Sequence, residues 1–185
     1  KTLQTSPDSI TWTSRTSGTS PNLWGVTFGA DLFVVVGDSG TILTSSDGIT
    51  WTSRTSGTSQ QLQDVTYVNN HFIAVGAVGT ILTSSNGTTW ESRTSGSSES
   101  LWGVSYGNGV YVSVGNSGVI LSSSDNISWS SSTSGTDPLN GVFSSQVDTI
   151  TPTISFTLPN DNQSSVSASE NISVTFSEAM DNTSI

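Results

Sequence analysis

The sequence predicts an all-β chain in which one four-stranded sheet is written several times over. Three observations carry that expectation. Trp12, Trp51, Trp90 and Trp129 stand 39 residues apart, and Asp8, Asp47, Asn86 and Asp125 keep the same interval. Within each period, four short segments of alternating apolar residues are separated by clusters of Gly, Asn and Asp. Nowhere in the repeat do apolar residues recur at helical spacing.

A second register, Leu23, Leu62, Leu101 and Leu139, is spaced 39, 39 and 38 residues. It divides the chain into full repeats at 23–61, 62–100 and 101–138, a half blade over 1–22 and an opening strand over 139–146. The first segment of each repeat is LWGVTF, LQDVTY or LWGVSY, in which Val26, Val65 and Val104 are followed two residues on by Phe28, Tyr67 and Tyr106, the period of a strand. It stops at Gly29-Ala30-Asp31, Asn69-Asn70 or Gly107-Asn108-Gly109, residues that tolerate the positive φ of a tight hairpin. The second segment, LFVVVG, HFIAVG or VYVSVG, ends in a Gly-x-x-Gly turn. The third, TILTSS or VILSSS, closes at Asp47-Gly48, Asn86-Gly87 or Asp125-Asn126, and the fourth carries the Trp.

A four-stranded sheet repeating about every 40 residues is the blade of a β-propeller. A β-solenoid has shorter coils and lacks three hairpin turns per period. Closed propellers have about four to eight blades. Here the N-terminal half supplies a fourth-type strand (Ile10 to Thr16) and the C-terminal opening a first-type strand (Leu139 to Ser144). A blade shared by those two would lack its second and third strands.

The stretches Ser45 to Trp51, Ser84 to Trp90 and Ser123 to Trp129 resemble the Asp-box, the Ser-x-Asp-x-Gly-x-x-Trp hairpin of BNR or sialidase-type propellers. They are one residue shorter between Asp and Trp, and one copy has Asn86 for Asp. The resemblance covers roughly Thr2 to Gln146 and extends to photosystem-assembly-factor-like propellers. It implies that Asp8, Asp47, Asn86 and Asp125 cap their own turns and that Trp12, Trp51, Trp90 and Trp129 pack between blades. Asp and Asn at a tight turn serve that bonding on physical grounds alone.

The repeat stops at Asp148, and residues 148–185 are similar to the start of a bacterial Ig-like domain of S-layer and other surface proteins. Pro152 to Leu158, Pro159 to Asn162 and Asn171 to Asp181 carry that similarity. A sandwich of this kind needs about 100 residues, so 148–185 is expected to be part of one. The first residue is Lys1 rather than Met, which suggests a processed product or an excerpt.

Composition removes several functions. With 14 acidic and 4 basic residues the net charge is -10, which repels phosphate, so no nucleic-acid partner is expected. There is no Cys and a single His, His71, at a variable edge position, leaving no thiolate or histidine cluster for a metal or a triad. No cofactor is expected. No run of 18 apolar residues exists and Lys1 to Ile10 hold no apolar leader stretch, so no membrane insertion is expected. Ser and Thr number 66, mostly on repeat strands and turns, and Leu, Ile, Val and Phe number 44, enough for a lean core.

The expectation is that the chain is not an enzyme. A sialidase needs converging arginines, whereas Arg15, Arg54 and Arg93 are one repeat position, expected to cover Trp12, Trp51 and Trp90 as cation–π or packing contacts. The non-repeating acids Asp31, Asp38, Asp64, Glu91 and Glu99 read as solvated faces rather than a glycosidase pair. Asn-x-Ser/Thr triplets at Asn86, Asn126, Asn162, Asn171 and Asn182 are a weak glycosylation signal in so hydroxyl-rich a chain. Trp24 and Trp102 open the first strand where Gln63 and Asn140 stand in the other copies. Inter-blade packing is the plainer expectation for them, and a sugar-stacking surface the functional one.

Two classes of function follow. The first is a secreted or cell-surface structural or adhesive module, partnered by itself or by other surface proteins, its open strand edges completed by a neighbouring chain in a fibre or filament. The second is a glycan-binding propeller, lectin-like or the receptor-binding part of a phage tail fibre, gaining avidity from repeated sites. A more distant reading is an accessory module of a larger glycosidase.

Overall fold

A computed structural model describes residues 2–142 and the strands Ile154–Ser155 and Thr175–Phe176. Three four-stranded antiparallel sheets follow one another along the chain. Blade one is β3 (Leu23–Gly29), β4 (Leu32–Gly37), β5 (Ile42–Ser45) and β6 (Thr52–Arg54). Blade two is β7 (Leu62–Val68), β8 (His71–Gly76), β9 (Ile81–Ser84) and β10 (Glu91–Arg93). Blade three is β11 (Leu101–Gly107), β12 (Val110–Gly115), β13 (Val119–Ser123) and β14 (Ser130–Thr133). Each pairs strictly in chain order, so every connection is a hairpin.

The turn chemistry accounts for these hairpins. Both central residues of the first turn have positive φ in each blade: Ala30 and Asp31, Asn69 and Asn70, Asn108 and Gly109. Two left-handed residues in succession make the type I′ turn, whose twist matches that of the strands it joins. The Gly-x-x-Gly turns reverse the chain with a bond from Gly37 N–H to Thr41 O at 3.0 Å and from Gly76 N–H to Thr80 O at 3.0 Å. Gly79 has φ +62, and a Cβ there would collide with the carbonyl of Ser97, so only glycine fits.

The core lies between blades. Alternation along β4 and β5 sends Val34, Val36 and Ile42 to one face, where they pack with Leu62, Val65, Phe72, Ala74 and Leu82 of blade two. The opposite face of blade two, Ile73, Val75 and Ile81, packs with Leu101, Val104, Tyr111, Val119 and Leu121 of blade three. The first strands β3, β7 and β11 lie side by side, as inner strands of neighbouring blades do. Each blade also repeats an aromatic stack: Phe28 on Phe33, Tyr67 on Phe72 and Tyr106 on Tyr111, with centroids 4.6, 4.6 and 4.4 Å apart.

Both ends of the stack depart from expectation. The half blade holds two strands, β1 (Thr2–Thr5) and β2 (Thr13–Thr16), paired antiparallel, where a single strand from Ile10 was expected. Thr2–Thr5 stands at the third-strand position, so the third strand is present. At the other end, Leu139–Val142 forms no strand among the described residues, and residues 143–144 lie outside them. The segment nevertheless keeps the repeat's position. Leu139 N–H donates to Gly115 O at 2.9 Å. Gly141 and Val142 back onto Gly103 as Asp64 and Val65 back onto Gly25.

The chain divides into two compact units, Lys1–Gln146 and Val147–Ile185. In the second, β15 (Ile154–Ser155) pairs antiparallel with β16 (Thr175–Phe176). The turn expected at Pro159 to Asn162 and the remainder of Asn171 to Asp181 lie outside the described residues.

Candidate functional site

The repeated carboxylates are held by their own turns. Asp47 Oδ1 accepts the backbone N–H groups of Ile49 and Thr50, both at 2.8 Å, and the Ser45 hydroxyl at 2.9 Å. Asp8, Asn86 and Asp125 repeat the pattern. The N–H groups of Thr11, Thr50 and Ser128, foremost, hold the Asp8, Asp47 and Asp125 carboxyls down to about 2. Carboxylates so occupied are structural clamps, with little basicity left for proton transfer.

The repeat tryptophans differ by blade. Trp90 and Trp129 pack against the two inter-blade clusters, whereas Trp12, in the half blade, is exposed. Trp51 and Trp90 donate their indole N–H to Gly48 O at 3.2 Å and Gly87 O at 3.0 Å. In blade three Asn126 replaces that glycine, and both the Trp129 indole nitrogen and Asn126 Oδ1 are buried without a hydrogen-bond partner.

The arginines do not lie on the tryptophans. Arg15, Arg54 and Arg93 donate Nε–H to Thr5, Thr44 and Thr83 across the hairpin, at 3.1, 2.9 and 2.9 Å. The reason is parity: residues three apart in an extended chain leave the sheet on opposite faces, so Trp51 and Arg54 part company. Arg93 also pairs with Glu91 at 2.7 Å. A shallow groove of about 510 Å³ lined by Gly79, Thr80, Arg93 and Ser95 recurs one blade earlier, at about 470 Å³, beside Gly40, Thr41, Arg54 and Ser56. His71 is exposed, its Nδ1 3.0 Å from Asn69 O.

Two non-repeating acids are more than solvated faces. Asp38 accepts the Trp24 indole N–H at 2.6 Å, the Gln61 amide at 2.7 Å and the Asn22 amide at 2.8 Å. These bonds, Trp24's first, hold its carboxyl below the ordinary value. Asp64 bridges blades: its carboxylate accepts Val104 N–H at 3.1 Å and its own neighbour Val65 N–H at 2.9 Å. Burial pushes the Asp64 carboxyl up, against the pull of those two donors. Its backbone fits against blade one because the equivalent residue there is Gly25, where a Cβ would come within 3.0 Å of the Asp64 Cα.

Trp24 and Trp102 stand outside the two inter-blade core clusters. Each sits in a bulge of its first strand, between Leu23 and Gly25 or Leu101 and Gly103, with no residue opposite it. Trp24 is 53% exposed and Trp102 37%. Trp102 repeats Trp24's anchor, donating to Asn116 Oδ1 at 2.7 Å. Blade two has neither half of the pair, carrying Gln63 and Ala77 instead. That co-occurrence is visible in the sequence once the repeats are aligned.

Blades, hairpins and inter-blade cores of this kind agree with a family comparison, in which the DUF6242 beta propeller domain matches residues 6–151. The chain belongs to the DUF6242 beta propeller domain family. A bacterial Ig-like domain matches residues 148–185, overlapping the end of the DUF6242 propeller match. Among solved structures, YCF48 bound to D1 peptide is similar with a TM-score of 0.58 at 17% identity, covering 72% of this chain and 47% of that one. YCF48 from Cyanidioschyzon merolae is similar with a TM-score of 0.50 at 21% identity, covering 68% and 47%. The DUF6242 chain thus spans about half the length of the solved propellers it matches. No curated protein matches it.

Proposed function

We propose that the chain is a non-enzymatic structural and adhesive module of a secreted or cell-surface protein. The observation that carries this reading is the pairing of a propeller with a bacterial Ig-like domain in one polypeptide. Two features support it. The repeated carboxylates are spent inside their own turns, and the arginines are spread one per blade on hairpin threonines. Neither set converges on a point where a substrate bond could sit. Protease shaving of intact producing cells tests the location: the chain should be released without lysis, and full protection would overturn the reading. Chromogenic glycosides and sialosides test the chemistry, and turnover above buffer would overturn the non-enzymatic part.

The uncovered face of blade one supports self-association. Val26 and Phe28 are exposed there, beside the β1 edge that carries no second-strand partner among the described residues. We assign that face to strands of a second copy, as open edges pair readily. Sedimentation should show species above the 19.2 kDa of one chain, and a single monomeric species at high concentration would overturn the assignment.

A further inference from the structure

We propose that Trp24 with Asp38, and Trp102 with Asn116, are two copies of one platform that binds neutral saccharides by stacking on the indole face. The proposal deepens the adhesive part of the reading above and rests on it only for the setting in which such ligands are met.

Four observations converge on these residues. The bulge at the start of β3 and β11 directs an aromatic ring off the sheet in the same place on two blades. The indole N–H, which an exposed Trp would otherwise give to water, is tied at 2.6 Å to Asp38 and at 2.7 Å to Asn116. The ring is therefore anchored at its nitrogen while Trp24 stays 53% and Trp102 37% exposed. Finally, ring and acceptor come and go together: where blade two has Gln63 it also has Ala77. A Trp kept only for packing needs no such partner.

A ring held this way offers an apolar π-face rather than a donor. The groups beside it are planar and polar: Asn22, Gln61 and the Asp38 carboxylate at one platform, Asn116 and the Glu99–Ser117 pair at the other. A pyranose matches that combination, since one side of the ring is a sheet of C–H groups and its rim is hydroxyl. Asp38 and Glu99, within a chain of net charge -10, turn away anionic sugars. Neutral hexosides remain as the ligand class.

Calorimetric titration of the whole chain with neutral mono- and oligosaccharides, guided by a glycan array, tests this. Two weak equivalent sites per chain are expected, falling to one in Trp24→Ala and none in Trp24→Ala with Trp102→Ala, with unchanged far-ultraviolet circular dichroism. The double change Gln63→Trp with Ala77→Asp is expected to build the platform in blade two and raise the stoichiometry to three. Absence of binding to every neutral saccharide overturns the proposal, as does binding that survives loss of both tryptophans or binding confined to peptides. Failure here leaves the surface reading intact if protease shaving still releases the chain. A chain protected from shaving that nevertheless binds saccharide separates the two in the other direction.

Discussion

Val26, Val65 and Val104 occupy one position of the repeat, yet Val65 and Val104 are 3% and 4% exposed and Val26 is 63% exposed. Their strands pair with the same register, and the hairpins after them use the same turn. The difference lies entirely in the neighbour. Val65 faces the second strand of blade one and Val104 that of blade two. Val26 faces the half blade, which among the described residues brings the third and fourth strands alone. A blade's sheet is thus specified within its own repeat, while its core is a property of pairs of repeats.

The sharpest way to break this comparison is to empty equivalent sites on either side. Phe72 is fully buried between blades one and two, and Phe33, its counterpart, is only half-buried against the half blade. Phe72→Ala should cost about 3–5 kcal/mol, the range for a large aromatic cavity. Phe33→Ala should cost clearly less, because the unfilled side already meets solvent. Denaturant unfolding measures both, and equal losses would mean that the half blade closes blade one as fully as blade one closes blade two.

Overpacking gives the next largest effect. A Cβ on Gly29 would fall inside the Tyr67 ring across the blade one to blade two junction. Gly29→Ala should destabilise by roughly 1–3 kcal/mol, since Tyr67 is held by its stack on Phe72. At Gly57, on an open turn with φ +76, a Cβ meets nothing within 4 Å. Gly57→Ala should therefore show backbone strain alone, about 1–2 kcal/mol. A third change runs the other way. Asn126→Gly restores the glycine that blades one and two carry, relieves a positive φ and removes a buried amide oxygen without a partner. It should stabilise by on the order of 1 kcal/mol.

Most of the fold was legible because its signals are local. Alternation at Val26 and Phe28, the I′ pairs such as Asn69-Asn70, and Asp47 beside Gly48 each act within a few residues. The β1 strand was legible too, since TLQTSPDSITW aligns with TILTSSDGITW, but its Gln4 interrupts the apolar pattern. What required coordinates were relations across a sheet or between blades. Arg54 finding Thr44 depends on face, Asp64 reaching Val104 depends on the next blade, and Trp24 reaching Asp38 joins the two ends of a hairpin. Of the Leu139 to Ser144 segment, Leu139–Val142 forms no strand among the described residues, and a first-strand sequence needs a second strand beside it to pair as one.

The smallest expected effect separates the half blade from the full blades by acid. Asp8, Asp47 and Asp125 titrate at about 2 in the folded chain against an ordinary 3.8. A carboxyl lowered on folding stabilises the fold at pH above 3.8 and loses that contribution as pH falls toward 2, because the unfolded chain then takes up protons first. Asn86, neutral in the same turn, contributes nothing to this slope. Asn86→Asp should steepen the fall in Tm between pH 3.8 and 2, and Asp47→Asn should flatten it. Asp8→Asn should leave the global acid limb unchanged, because its turn belongs to β1–β2, whose outer edge carries no second strand among the described residues and whose Trp12 is exposed. Loosening of that hairpin is local, so its protonation is felt there and not in the cooperative unfolding of the three blades. If Asp8→Asn instead flattens the acid limb as much as Asp47→Asn, the half blade melts with the others and the contrast drawn from Val26 is one of solvent contact, not of stability.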